Sequence, residues 1–324
     1  MNHNILITSA GQRVALVKAF QETVRRFFFE AKVYTTDMNP QMAPAAYVSD
    51  KCFKVPQCTS EDYIEELLAL CSIHNIGMII PTIDTELTIL STNRNLFAKK
   101  GVFVSVSDYD FILMCRDKRN TSYFFEKHGI RVPKAIDKNN PTFPLFAKPY
   151  DGSLSTNLHY IRNTEELTSE ILKDPKLLFM EYINKKVYKE YTVDMYYGKD
   201  HKVKSIVPRE RIKIRAGEIS KGLTEKEPLT KYLYDRLETI NGCIGCICIQ
   251  VFLNPQTCDV VGIEINPRFG GGYPQTYVAG GNYAENLIRE YFLGENLQYM
   301  DNWKDHLLML RYDDAVYVEE GSLL

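Results

Sequence analysis

The residues best placed for chemistry lie on two late apolar runs. Positions 249–268 read IQVFLNPQTCDVVGIEINPR, and Asn254-Pro255 starts a turn between two arms of a hairpin. Glu264 and Asn266 are two apart and share a face, and a turn near 256–257 places Gln250 opposite or diagonal to them. Three oxygen-bearing side chains then converge from strands otherwise built of Ile, Val and Phe. A carboxylate in such surroundings needs a cation. One formal charge with neutral oxygens suits Mg²⁺, which fills its shell with water and phosphate oxygens. Arg268 follows within reach of the same phosphates. Taken alone, Glu264 has a plainer alternative, an ion pair with Arg268 or another base at the strand end.

A second group precedes it. Positions 145–149, LFAKP, put Lys148 at the end of an apolar strand, and the loop 150–157, YDGSLSTN, follows. A strand-end lysine with a Gly/Ser/Thr loop suits nucleotide phosphates, although an ordinary hairpin turn has the same composition. Neither GxxxxGK[ST] nor GxGxxG occurs. A third group is FMEYI at 179–183 and YKEYTVD at 188–194. The backbone of the first can meet an adenine edge with Glu181 beside it, and Glu190 opens the next strand where ribose hydroxyls would lie. Solvent-facing acids on strands are the alternative.

The elements that must position these residues fall into two patterns. Strands at 5–8, 33–36, 78–80 and 102–106 alternate with helices at 14–28, 61–72 and 85–99, which predicts a parallel sheet covered on both faces. One long helix is expected from near Asp108 to Lys127, stopped by Gly129, and prolines at 133, 141 and 144 mark a boundary. Beyond it the pattern is α+β with antiparallel sheets. Strands are expected at 145–147, 177–183, 190–197, 202–207, 246–253 and 260–265, and a last one within 307–317. Helices are expected near 165–172, 229–240 and 283–292.

Composition closes off other classes. The 324 residues are 45% hydrophobic and 25% charged, enough for about two domains with real cores. The net charge of -2 gives no global pull toward nucleic acid or anionic membrane, and no apolar run reaches the ~18 residues of a span. The start, MNHNILITSAG, goes straight into a strand pattern, which predicts a cytoplasmic protein. The eight cysteines read as reduced, mostly buried small hydrophobes, because the CxxC at Cys243–Cys246 lacks a second pair or a His partner. The six histidines show no metal spacing, and no GxSxG turn is present.

The order Lys118, Lys148, Gly/Ser loop, Glu181-Tyr182-Ile183, Glu190, then Gln250, Glu264 and Asn266-Pro267-Arg268 resembles the ATP-grasp superfamily. The likeness is to a single ATP-grasp unit of the carbamoyl phosphate synthetase large-subunit type. It runs from about Asn4 to Phe292, and the domain before the grasp shows in Ser9-Ala10-Gly11, Asp37, Asp84 and Glu86. The resemblance implies a Rossmann-like domain over 1–107, a central lid subdomain over 108–185 and a metal-bearing subdomain over 186–324.

It also implies roles. Lys118 and Lys148 contact ATP phosphates under a loop that includes Gly152, Ser153 and Ser155. Glu181, Tyr182 and Ile183 frame adenine, and Glu190 takes the ribose. Gln250, Glu264 and Asn266 hold Mg²⁺, with Mn²⁺ left open, and Arg268 stabilises the transferred phosphoryl group. The implied reaction is ATP-dependent joining of a small-molecule carboxylate to an amine or thiol through an acyl phosphate, with no nucleic acid or membrane partner and a homodimer left open. The loop holds one glycine where such loops are often richer, and neither a second grasp half nor a glutaminase domain is seen, so carbamoyl phosphate synthesis itself is not expected.

The acid is expected near 208–218, PRERIKIRAGE. There Arg209, Arg211, Lys213 and Arg215 alternate and would share a face, with Lys221 in a mobile loop between Gly217 and Gly222. A charged edge strand is the alternative. Two rival functions remain. Gly11 followed by Asp37 suits a dinucleotide oxidoreductase, but Gln12, Arg13 and Val14 stand where glycines are needed. A non-catalytic nucleotide sensor is the other, and it has no use for a metal cluster with Arg268.

Overall fold

Apolar runs separated by amphipathic helices form the first unit, as the sequence pattern requires. The computed structural model describes residues 2–151, 157–215 and 217–319. Strand β1 (Asn4–Thr8) leads through α1 (Val14–Phe27) to β2 (Val33–Asp37). Helix α2 (Pro44–Val48), β3 (Lys51–Lys54), α3 (Tyr63–Ile73), β4 (Ile76–Pro81), α4 (Asp84–Ala98) and β5 (Phe103–Val104) follow. The five strands are parallel in the order β3-β2-β1-β4-β5. The chain leaves β1 toward β2 and returns on its other side as β4. The carboxyl ends of β1 and β4 therefore flank a switch point, where such sheets hold ligands.

The single helix expected over 108–127 is two, α5 (Tyr109–Arg116) and α6 (Lys118–Lys127). Asp117 breaks it with an extended backbone, and its carboxylate accepts the Arg119 N–H at 2.9 Å as the cap of α6. Both helices pack on the last part of the chain, Phe111 and Phe125 sharing a core with Val193, Ile249 and Ile265. The small sheet is β6 (Leu145–Pro149), β7 (His159–Ile161) and β8 (Leu177–Glu181), ordered β7-β6-β8, with α7 (Ser169–Lys173) between β7 and β8. It has its own core of Leu145, Ala147, Ile161, Leu177 and Phe179.

The large sheet is β9 (Lys189–Tyr197), β10 (Val203–Arg215), β11 (Glu218–Thr224), β12 (Gly245–Leu253), β13 (Val260–Asn266) and β14 (Leu308–Leu310), ordered β13-β12-β9-β10-β11-β14. Helices α8 (Leu229–Leu237), α9 (Tyr273–Ala279) and α10 (Tyr283–Tyr291) belong to it. The expected strand 202–207 runs on to Arg215, and the expected mobile loop around Lys221 is β11, paired with β10 on one side and β14 on the other. Ile219, Ser220 and Thr224 are buried there and Lys221 is exposed, and Gly217 and Gly222 mask the strand in sequence. Val17 and Phe20 of α1 join Tyr196, Val207, Phe269 and Tyr273 in one core, so the first unit and the large sheet are packed as one body.

Candidate active site

Strand β9 shows how the site is built. Tyr191, Val193, Met195 and Tyr197 enter the apolar core, while Glu190, Thr192 and Asp194 take the other face. Register carries that polar face across the sheet. Glu264 lies opposite Gln250, Gln250 opposite Thr192, and Thr192 opposite Arg209. The next row sets Asn266 opposite Cys248 and Cys248 opposite Asp194.

The metal-ligand candidates meet on this face. Asn266 Nδ2 donates to Glu264 Oε1 at 3.0 Å, and Gln250 stands across from it. The ion pair weighed for Glu264 with Arg268 does not form. Arg268 Nη2 reaches Asp84 Oδ2 at 2.7 Å, and Glu264 has no ion pair among the described residues. Burial works against the Arg268 charge, and Asp84 more than restores it, so its pKa is held above the usual value. One carboxylate with two carboxamides fits a Mg²⁺ ion shared with phosphate, and no group of three His, Cys, Asp or Glu among the described residues suggests another kind of site.

The lysines approach from the small sheet. Lys148, at the end of β6, is buried, and its Nζ donates to the Ile263 carbonyl at 3.4 Å. Burial pushes its pKa down to about 8, with Lys118 adding to the fall and Glu264 opposing it. Lys118 is held at the start of α6 by its N–H bond to the Tyr150 carbonyl, 2.9 Å. The buried Lys148 thus has a second lysine and one carboxylate near it, an arrangement that attracts anions. Gly152, Ser153 and Ser155 lie outside the described residues.

The nucleotide-frame candidates lie along the join between the sheets. Glu181 closes β8, with its carboxylate on Arg131 at 2.6 Å and on the Lys134 N–H at 3.2 Å. Arg131 also reaches Asp259 at 3.5 Å, so it straps the small sheet to the β12–β13 hairpin. Tyr182 stacks on Tyr160 with ring centres 4.2 Å apart, and Ile183 is buried. Glu190 faces the site but holds Lys185 at 2.8 Å and Arg211 at 3.0 Å.

The basic stretch is a correction. Arg209 is 1% exposed, bonded to Asp194 through Nε at 2.9 Å and Nη2 at 3.0 Å. Thr276 Oγ1 and Cys248 Sγ also bond Asp194, at 2.5 and 3.0 Å, and a Cβ on Gly272 would come within 2.2 Å of Arg209 Nη1. Arg209 is therefore a covered structural cation with no face open to an acid. The four bases do not form one row either. Register shifts between Arg211 and Ile214 turn the end of β10, and Arg215 pairs instead with Asp313. Arg211 stays beside the site, with Nη1 on Thr192 at 3.1 Å.

Asp37 is engaged in the turn after β2, where its oxygens accept the N–H groups of Gly11 at 3.2 Å and Asn39 at 2.9 Å. Sequence reasoning passed over Arg131, Lys185 and Asp194 as site supports. The alternation Glu190, Thr192, Asp194 against Tyr191, Val193, Met195 was the available signal for the last.

Residues 173–314 match the family described as ATP-grasp in the biosynthetic pathway with Ter operon, and residues 5–105 match the PylC-like N-terminal domain. Residues 173–314 thus match an ATP-grasp family model, and the chain as a whole has the ATP-grasp fold. Solved ATP-grasp structures share its fold. The N5-carboxyaminoimidazole synthetase from Staphylococcus aureus complexed with ADP aligns with a TM-score of 0.69 at 16% identity, over 92% of this chain and 78% of that one. Biotin carboxylase from Campylobacter jejuni, in a β-γ-ATP complex, gives 0.66 at 15% over 93% and 73%. The L-amino acid ligase from Bacillus licheniformis gives 0.66 at 15% over 89% and 73%. No curated protein matches the chain in sequence. Among the described residues, no helix is long and apolar enough to cross a membrane.

Proposed function

We propose that the protein is an ATP-dependent, ADP-forming ligase that joins a small-molecule carboxylate to an amine through an acyl phosphate. The observation that carries this reading is Lys148, buried beside Lys118 and Glu264 with its pKa depressed to about 8. A polyphosphate is the ligand that relieves such crowding. Solved structures of the same fold are complexes with ADP, with a magnesium salt of ADP and with an ATP form, which supports ATP and Mg²⁺ here. Gln250, Glu264 and Asn266 would hold the ion, and it would neutralise phosphate charge during transfer.

The chain's own groups do the rest by position and charge. Lys118 and Lys148 draw in the phosphates, with the loop carrying Gly152, Ser153 and Ser155 over them. Backbone at Glu181, Tyr182 and Ile183 frames the base, and Glu190 the ribose. Arg268, oriented by Asp84, receives the charge that moves with the phosphoryl group. The nucleophile is an amine or, as the second choice, a thiol. ADP release from Mg²⁺ATP against pooled carboxylates and amines tests the reading. Stimulated release is expected, and ATP binding with no release under any pair would return the protein to a nucleotide sensor.

A further inference from the structure

Charges that this scheme leaves unused gather at the switch point of the first sheet. Arg13 stands at the start of α1, and its Nη2 reaches only as far as the Thr82 carbonyl, 3.5 Å away. Two residues on, Asp84 holds Arg268. Arg268 Nε is buried and has no hydrogen-bond partner among the described residues. Glu218, exposed at the start of β11, lies over the loop that follows Arg268, so that a Cβ on Gly271 would stand 2.2 Å from its carboxylate oxygens. Neither Arg13 nor Glu218 makes an ion pair among the described residues. The charge of Glu218 nevertheless reaches Arg13. Desolvation and then Arg268 lower the pKa of Arg13, while Glu218 and Asp84 oppose the fall.

Two guanidiniums and two carboxylates thus meet where the first sheet faces the large one. The Arg268–Asp84 pair is closed. The Arg13–Glu218 pair is open, and its two charges cancel. A phosphate-bearing substrate would call for an excess of cations, and a simple amine for an excess of carboxylates. A ligand with one charge of each sign balances the open pair without disturbing the closed one.

We propose that this junction binds the amine substrate as a zwitterionic amino acid, Arg13 holding its carboxylate and Glu218 its ammonium group, beside Arg268. The proposal rests on the ligase reading and names the substrate class of that site. Glu218 takes one ammonium proton, and the freed nitrogen lone pair bonds the acyl carbon of the acyl phosphate. The bond between the acyl carbon and the phosphate oxygen breaks with its electrons on the departing inorganic phosphate, which takes the second proton from the nitrogen. An amide and phosphate result, and exposed Glu218 returns its proton to solvent.

The test uses the full chain loaded with Mg²⁺ and a non-hydrolysable ATP analogue. The standard amino acids are titrated as free acids, as α-amides and as N-acetyl forms, and calorimetry reads binding. The same compounds are then scored for ADP release from ATP. At least one free amino acid is expected to bind at least about 10-fold more tightly than its amide and its N-acetyl form. Arg13→Met is expected to erase the preference over the amide, and Glu218→Gln the preference over the N-acetyl form, each with ATP affinity kept. The proposal is overturned if no free amino acid binds the loaded protein, if the amide binds equally well, or if Arg13→Met keeps the discrimination. Failure of the wild type to bind ATP at all has a different signature and removes the ligase reading itself.

Discussion

Two carboxylates two strands apart on one polar sheet face meet opposite fates. Asp194 is sealed, with Arg209, Thr276 and Cys248 all bonded to it and the Gly270–Gly272 loop packed against the group. Glu264 has Asn266 as a donor and two lysines nearby, yet no cation pairs with it among the described residues. A structural charge is closed by its own chain, whereas a working charge is left for a ligand to complete. The rule separates Arg209 from Arg268, which the sequence presents as equals. Each leaves one buried nitrogen unpartnered among the described residues, but the Arg209 side chain is 1% exposed and locked inside, whereas Arg268 keeps 16% of its side chain open to the site.

That contrast can be broken from the sealed side first. Arg209→Met strands a buried Asp194, and a loss of roughly 3–5 kcal/mol in unfolding free energy is expected by urea denaturation. Replacing both members with apolar residues should recover most of it. A variant as stable as wild type would show that Asp194 is not the anchored charge described here. From the open side, Glu264→Ala should cut ADP release by roughly 100- to 1,000-fold while the urea midpoint stays near that of wild type. A large stability loss with activity retained would reverse the two assignments.

Glu86 sharpens the comparison, since it is buried with no cation paired to it among the described residues. Tyr63 donates to it, and burial pushes its pKa from 4.5 up to about 8. The folded chain then holds a proton that the unfolded chain has lost between those values, so stability falls as pH rises through the window. The slope approaches about 1.4 kcal/mol per pH unit from this group, and Glu86→Gln should flatten it in denaturation curves at pH 5 to 8. The smallest effect concerns Lys148, whose pKa moves the other way, from 10.5 to about 8. Above pH 8 it is neutral in the free protein, so ATP binding should take up a proton and weaken as pH rises. Calorimetry in buffers of different ionisation enthalpy reads that uptake, and Lys148→Met should abolish it and loosen ATP by about 10-fold.

Much of this was legible because it is periodic. The parallel unit follows from apolar runs alternating with amphipathic helices, and the 250/264/266 cluster from a turn and a two-residue repeat. What was not legible depends on neighbours distant in sequence. Whether Arg209 is open or sealed is decided by Asp194 and by Gly272, 63 positions later. The split at Asp117 turns on one side chain capping the next helix, and the strand at β11 on partners at 209–215 and 308–310. Arg13 looked like a failed glycine motif until β4 and α4 came round to meet it.

The core shared by α1 and the large sheet has a consequence for how this chain can be cut. A fragment starting at residue 108 would bare Tyr196, Val207, Phe269, Tyr273 and Leu287, which rest on Val17 and Phe20. Such a piece should precipitate when expressed alone. The small sheet carries five buried apolar residues of its own among the described residues, so a lineage can lengthen or shorten it with less cost to the remainder.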